Sequence, residues 1–270
     1  MLVNKSSMID ILNMSETSEY TEHVIVEDNR AIINVEGLHY RQLNALLRAL
    51  SARGIKTIEI HNVYGQRYIG TGLKGTLDIK VYGIPGNDLG AFMNGQRIFV
   101  YGNTQDGCGN TMNDGLIVIY GSVGDVAGYA MRGGKIFIRD DAGFRVGVHM
   151  KEYRDKKPII VIGGKTGDFL GEYMAGGIIL VLNLRGKEHS MRFVGVGMHG
   201  GVIYVRGKAK HVGKEAKIAD VNENDLHLIE GLLKEFSEYF NQDVNVKKIM
   251  ECKFTKIVPF SHKPYGKLYG

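Results

Sequence analysis

Residues 167–182, GDFLGEYMAGGIILVL, contain the pattern that decides the fold of this chain. A glycine is followed three positions later by a methionine, and a short hydrophobic segment comes next. The spacing occurs six times, and an earlier copy carries Leu73 in place of methionine. Successive methionines lie 19, 19, 19, 24 and 24 residues apart, so the pattern is an internal repeat. The methionines are Met93, Met112, Met131, Met150, Met174 and Met198.

The segment after each methionine is rich in β-branched and aromatic residues and is bounded by glycines, which is typical of β-strands. The linking segments show no ten-residue amphipathic pattern, so crossover helices are disfavoured. Same-sense repeats with one strand each predict a solenoid in which every strand pairs in parallel with its equivalent in the next coil. The predicted strands span residues 76–82, 97–101, 116–120, 135–139, 159–162, 178–182 and 202–205.

Coil stacking predicts ladders of like side chains, because equivalent residues of neighbouring coils lie about 4.8 Å apart. The methionines form one interior ladder, since an unbranched thioether fills irregular space. Tyr82, Tyr101 and Tyr120 form a second ladder at a corner. Paired glycines supply positive φ or close backbone approach where a coil turns. The pairs are Gly86 and Gly90, Gly124 and Gly128, Gly143 and Gly147, and Gly167 and Gly171.

Four segments resemble the C-terminal GXGXG domain of the glutamate synthase large subunit. They span residues 65–83, 125–138, 167–182 and 192–205. The resemblance implies a right-handed β-helix, which agrees with the repeat. The C subunit of formylmethanofuran dehydrogenase is similar to the same repeat, and the string EYMAGG at residues 172–177 favours the glutamate synthase family.

The predicted fold is therefore mainly β: a single-stranded right-handed parallel β-helix of about seven coils, with an α/β cap before it and a helix after it. Residues 1–62 form an N-terminal arm and cap, 63–207 the β-helix, and 208–270 a capping helix and tail. The tail after Phe240 either wraps back over the coils or is ordered by a partner.

Each end of the solenoid is expected to be covered, because an open end exposes backbone and core. The N-terminal cap combines a hairpin of residues 24–26 and 31–35, a helix over 38–53 and a strand at 57–60. The C-terminal helix, residues 222–240, is expected to close the second end. Its apolar face carries Leu226, Ile229, Leu233 and Phe236.

Glycine-rich strings in the repeat do not predict a nucleotide site. Two G-x-G-x-x-G strings begin at Gly70 and Gly195, but a dinucleotide fingerprint needs a helix after it, and here a strand follows. The string GGKT at residues 163–166 resembles the end of a P-loop, but Ile159 stands where that motif needs its first glycine.

Other candidate side chains are isolated. Asp140 and Asp141 indicate a solvated corner rather than an acid–base pair. The nine histidines show no metal-ligand spacing, and His149 and His199 flank ladder methionines. The two cysteines form no Cys-x-x-Cys pair and indicate a reducing compartment. The sequence predicts no catalytic, cofactor-binding or metal-binding residue.

Composition favours a cytoplasmic globular protein. The formal net charge is +5, and acidic residues interrupt both lysine clusters, so a solvated surface is favoured over a nucleic-acid patch. We expect no signal peptide and no membrane association. Two coils carry five extra, mostly charged residues, at 151–157 and around 184–190. These loops are either tolerated insertions or a docking surface for another subunit.

The resemblance implies a role without chemistry in this chain. Glutamate synthase uses a cysteine amidotransferase domain, an FMN-binding barrel and cysteine-ligated iron–sulfur chemistry, and nothing here matches them. We therefore expect a non-catalytic scaffolding subunit of a multi-chain glutamate synthase. Its expected partners are glutaminase and FMN-binding synthase subunits, which carry the FMN and the iron–sulfur cluster. The alternatives are a scaffold in a formylmethanofuran dehydrogenase-type complex and an independent β-helix enzyme.

Overall fold

The computed structural model describes residues 22–73, 75–186, 188–240 and 244–261. The predicted arm at residues 1–21 and the end of the predicted tail lie outside these ranges. Twelve strands form one sheet in the order β1 to β10, then β12 and β11. The strands are β1 Val24–Glu27, β2 Arg30–Asn34, β3 Thr57–Tyr64, β4 Asp78–Ile84, β5 Asn94–Tyr101, β6 Asp114–Ile119, β7 Lys135–Ile138, β8 Ile159–Ile162, β9 Ala175–Val181, β10 Gly200–Arg206, β11 Ala216–Ala219 and β12 Phe254–Pro259. The helices are α1 Tyr40–Ala52, α2 Glu223–Phe240 and α3 Val246–Met250.

Strands β2 to β10 pair in parallel, each with the next along the chain, and this confirms the predicted parallel β-solenoid of about seven turns. One isoleucine from each of the strands β3 to β10 occupies the same register position, and these side chains are fully buried. This column fixes the register, because a slip of one residue would turn every isoleucine outward. Its members are Ile58, Ile79, Ile98, Ile117, Ile136, Ile160, Ile179 and Ile203.

The methionine ladder is confirmed, since all six methionines are fully buried in the same core. The repeat glycines make room for the isoleucine column. A Cβ atom at Gly128 would lie 2.4 Å from Cδ1 of Ile160, and one at Gly147 would lie 2.5 Å from Cδ1 of Ile179. Both glycines have φ near +70°, so the position demands glycine for its conformation and its space.

The tyrosine ladder is also confirmed. The rings of Tyr82 and Tyr101 stack with centroids 4.8 Å apart, and those of Tyr101 and Tyr120 stack at the same spacing. His61 extends the stack at 4.5 Å from Tyr82. The spacing equals the distance between neighbouring strands, as coil stacking requires.

The N-terminal part has the predicted elements. β1 and β2 form the antiparallel hairpin, and β2 pairs in parallel with β3, so the hairpin belongs to the main sheet. His39 caps α1, and its backbone N–H donates to the Gln42 side chain at 2.7 Å. The helix buries its leucine stripe in the interior core of the solenoid. The stripe is Leu43, Leu46, Leu47 and Leu50.

The C-terminal helix forms as predicted, but it does not close the second end. Instead α2 packs on the outer face of the sheet, where Ile229 and Phe236 join a cluster with Phe137 and Leu180. Leu226, assigned to the apolar face from the sequence, is 38% exposed, and Leu232 is buried. The end of the parallel stack is covered by β12, which pairs antiparallel with β10, and by β11 beyond it.

Candidate interaction surface

Both G-x-G-x-x-G strings lie where a coil turns, and either close packing or a positive φ accounts for their glycines. A Cβ atom at Gly70 would lie 2.7 Å from Cδ1 of Ile98. A Cβ atom at Gly200 would lie 2.0 Å from the Ala175 carbonyl oxygen. The element after Gly70 is β4, and Gly200 begins β10; neither is a helix whose N-terminus could hold a pyrophosphate.

The acidic pair is engaged by its surroundings. Asp140 pairs with Arg139 at 2.8 Å and also with Arg185. Arg139, with a smaller contribution from Arg185, holds the pKa of Asp140 below its usual range. The carboxylate of Asp141 accepts the backbone N–H of Lys165 at 2.7 Å. These contacts keep Asp140 ionised and tie the turn together, so they do not suit a general acid.

The described residues offer no ligand set for a metal or cluster, because no group of three or more His, Cys, Asp or Glu side chains is arranged to hold an ion. Cys108 is fully buried, and burial raises the pKa of its thiol to about 12. Cys252 is half-buried, with its Sγ 3.7 Å from the Arg206 guanidinium. An iron–sulfur cluster takes about four cysteine thiolates. Two cysteines do not fit such a cluster.

The two charged insertions fold back onto the coils in their described parts. In the first, Lys156 pairs with Asp114 at 2.7 Å, and this ion pair holds the pKa of Asp114 down against the effect of burial. In the second, Arg185 pairs with Asp140. His189 is buried there, and its Nε2 lies 2.8 Å from the Arg206 carbonyl oxygen. Both insertions are thus anchored by specific polar contacts.

A groove of about 580 Å³ lies beside the C-terminal end of α2, at the edge of its contact with the sheet. Its walls include aromatic rings, with Tyr120 on the sheet side and Phe240 on the helix. Two arginines also line it, Arg139 and Arg185, and both are paired with Asp140. The groove is therefore mixed in character, with aromatic rings beside two guanidinium groups that share one carboxylate.

At each coil's repeat glycine, the chain passes through residues with positive φ on either side. In the later coils these include Phe169 at +63°, Tyr173 at +53° and Phe193 at +59°. The N–H groups of Phe169 and Tyr173 donate to carbonyl oxygens of the next coil at 2.9 Å and 2.8 Å. These inter-coil bonds hold bulky residues in a conformation that they seldom adopt.

The side chains around this turn are aromatic and cationic in the later coils, and they remain accessible. Phe144 is 51% exposed, Phe193 46% and Tyr173 40%. We call this surface the aromatic corner. It comprises Tyr129, Phe144, Arg145, His149, Phe169, Tyr173, Arg192 and Phe193.

Stacking between coils fixes the rings of the aromatic corner. Phe169 and Phe193 stack at 4.9 Å with 14° between their planes, and His149 and Tyr173 stack at 5.2 Å with 10°. The Arg145 guanidinium lies over the Phe169 ring, 5.2 Å from its centroid. Rings held in this way lose little side-chain freedom when a partner binds.

The outermost charges of the aromatic corner are positive. Arg192 donates to Asp168 through two nitrogens at 2.8 Å and 3.1 Å, and this contact holds the pKa of Asp168 below its usual range. Arg145 lies 3.6 Å from Glu172. The arginine side chains are 61% and 53% exposed, whereas those of Asp168 and Glu172 are 14% and 11% exposed. Clustered aromatic and arginine side chains are typical of the centres of protein–protein interfaces.

Of this surface, His149 alone stood out in the sequence as a candidate side chain. The signal was present in the repeat, since Phe169 and Phe193 stand at the same offset before Gly171 and Gly195. Exposed aromatic residues at equivalent positions of successive coils mark a shared face. In this repeat the glycine and methionine positions indicate how the interior packs, whereas the residues between them include those that face solvent.

None of the helices in the described ranges combines the length and apolar composition that a membrane span requires.

The family model described as the GXGXG motif matches residues 31–260. An uncharacterized protein of Methanocaldococcus jannaschii is 49% identical over 249 residues, which cover 88% of this chain and 95% of that protein.

Proposed function

Because this chain belongs to the GXGXG motif family, we propose that it is a non-catalytic scaffolding subunit of a multi-chain glutamate synthase. In that complex a glutaminase subunit releases ammonia from glutamine. An FMN-binding synthase subunit adds it to 2-oxoglutarate, using electrons from a pyridine nucleotide or ferredoxin. This chain is cytoplasmic and holds the two subunits in a fixed relation, and the FMN and the iron–sulfur cluster belong to its partners.

The observation that carries the proposal is a continuous stack of parallel coils that bears an ordered aromatic surface. The interior is closed, since the isoleucine and methionine columns are fully buried. Asp140 is paired with an arginine, and Asp141 accepts a backbone hydrogen bond. The aromatic corner, by contrast, offers exposed rings and guanidiniums of the kind used to hold another protein. These features support a holding role over a chemical one.

Reconstitution tests the proposed function. We expect the purified chain to form a complex with glutaminase and FMN-binding synthase subunits from the same organism. Glutamine-dependent glutamate formation should then exceed that of the two subunits without it. If the native protein is purified and neither a glutaminase nor an FMN-binding synthase subunit accompanies it, the proposal is contradicted. Association with formylmethanofuran dehydrogenase-type subunits instead would favour the alternative scaffold.

A further inference from the structure

The aromatic corner occupies backbone positions that do not call for bulky side chains. Two residues before the repeat glycine, side chains of very different size occur in the earlier coils, all with positive φ: Tyr68, Asp88, Gly107, Val126 and Arg145. Glycine and aspartate adopt this conformation more readily than phenylalanine does. Phe169 and Phe193 fill the same position in later coils, and the bond from the Phe169 N–H to the Arg192 carbonyl oxygen would form equally with a smaller residue. The fold does not explain these rings, so a contact outside the fold is the better explanation.

The charge arrangement indicates the chemistry of that contact. The guanidiniums of Arg145 and Arg192 lie outermost, and their carboxylate partners are recessed. A partner with surface carboxylates would complement these charges, which would raise the association rate and favour one binding orientation. A second copy of this chain, facing the first across a two-fold axis, would bring like charges together.

We propose that the aromatic corner is the surface on which a partner protein chain docks, and that the contacting face of that partner carries carboxylate side chains beside apolar ones. The inference rests on the proposed function, since a scaffold needs a partner. Rings stacked in advance supply the apolar anchors at small entropic cost. The exposed guanidiniums pair with the carboxylates of the partner and set its orientation.

Binding measurements on the full chain test this proposal. The probes are the purified glutaminase and FMN-binding synthase subunits of the same organism. Phe193→Asn should weaken binding of one probe by about tenfold or more, because it removes an anchor ring. Arg192→Gln should weaken binding and reduce its dependence on ionic strength, because it removes a charge pair. Circular dichroism of each variant checks that the solenoid is intact.

Phe92→Asn is the matched control. Phe92 is 54% exposed and has a φ of +57°, but it belongs to an earlier coil outside the aromatic corner. We expect it to leave affinity within about twofold of the unaltered chain, as most residues outside an energetic centre do. Equal losses for Phe92→Asn and Phe193→Asn would contradict a specific surface.

The outcomes separate this inference from the proposed function. If a probe binds the unaltered chain and the Phe193 and Arg192 variants equally well, the docking surface is wrong and the scaffold role stands. If neither probe binds the unaltered chain, both proposals fail. Light scattering supplies a further measurement. A dimer of this chain that Phe193→Asn converts to a monomer would show that a second copy occupies the surface, and it would overturn the proposal.

Discussion

Two aromatic clusters lie on the same later coils and differ in what covers them. On the outer face of the sheet, Phe137 and Tyr204 are buried with Phe236 of α2. At the aromatic corner, Phe144 and Phe193 remain about half exposed. The chain therefore supplies a cover for the first cluster from its own sequence. The rings of the second cluster are also held by stacking, but they remain accessible, which is the pattern expected of a binding surface.

Polar contacts also differ between the face covered by α2 and the aromatic corner. Asp225 of α2 accepts the Tyr204 hydroxyl at 2.5 Å and the Lys256 ammonium at 2.8 Å, in a buried network. Nearer the other end of the helix, Glu235 pairs with Lys135 at 2.6 Å. At the aromatic corner, the recorded partners of the arginines in the described ranges are carboxylates of the coils themselves. Substitutions on the covered side should thus reduce the stability of this chain, and substitutions at the corner should reduce association.

Truncation of the covered cluster should have the largest effect. Phe236→Ala removes a fully buried ring from between α2 and the sheet, and we expect a loss of about 3–5 kcal/mol in the free energy of unfolding. Urea unfolding followed by circular dichroism measures it. Leu226→Ala on the same helix is the control, with an expected loss below about 1 kcal/mol because Leu226 is exposed. Similar losses for the two variants would contradict the packing of α2 on the sheet.

A smaller loss is expected for Asp225→Asn, about 2–3 kcal/mol at neutral pH, because hydrogen bonds to a charged group are removed. Burial opposes the charge of Asp225, but the Asn222 N–H, Lys256 and Tyr204 outweigh it and lower its pKa. The contribution is full above the unfolded pKa of about 3.9 and is lost as pH falls through the lower folded value.

The stability difference between the unaltered chain and Asp225→Asn should therefore be constant above about pH 5 and shrink below about pH 4. Unfolding midpoints measured across that range check the sign. Asp220→Asn, at an exposed carboxylate, is the control. A difference that grows toward low pH would mean that Asp225 is not held ionised in the folded chain.

Much of the fold can be predicted from the sequence, because the residues that repeat are those that line the core. The methionine spacing predicts the coils, and the tyrosine spacing predicts a ladder with the observed 4.8 Å step. Strand ends are less predictable. The strand expected at 57–60 continues to Tyr64 through an irregularity between Ile60 and Val63, where Asn62 has positive φ. Such a bulge depends on pairing with β4, which the local sequence does not encode.

The helix position and the aromatic corner needed tertiary information. The apolar face of α2 fits any apolar surface, and the sequence alone did not distinguish the end of the solenoid from its side. The positive φ of Phe169 and Tyr173 runs against the preference of those residues and is imposed by hydrogen bonds to the next coil. Side chains on such turns can be placed only once the coils are stacked.

The smallest effect on stability is expected where the effect on binding is largest. Phe193→Asn in the isolated chain removes the stack on Phe169, which is worth about 0.5–1.5 kcal/mol. It also relieves a left-handed conformation that costs a bulky residue about 1–2 kcal/mol and that asparagine tolerates. The two terms nearly cancel, so urea unfolding should change by less than about 1 kcal/mol. A loss near that of Phe236→Ala would show that the corner, like the face beneath α2, serves the chain's own stability rather than a partner.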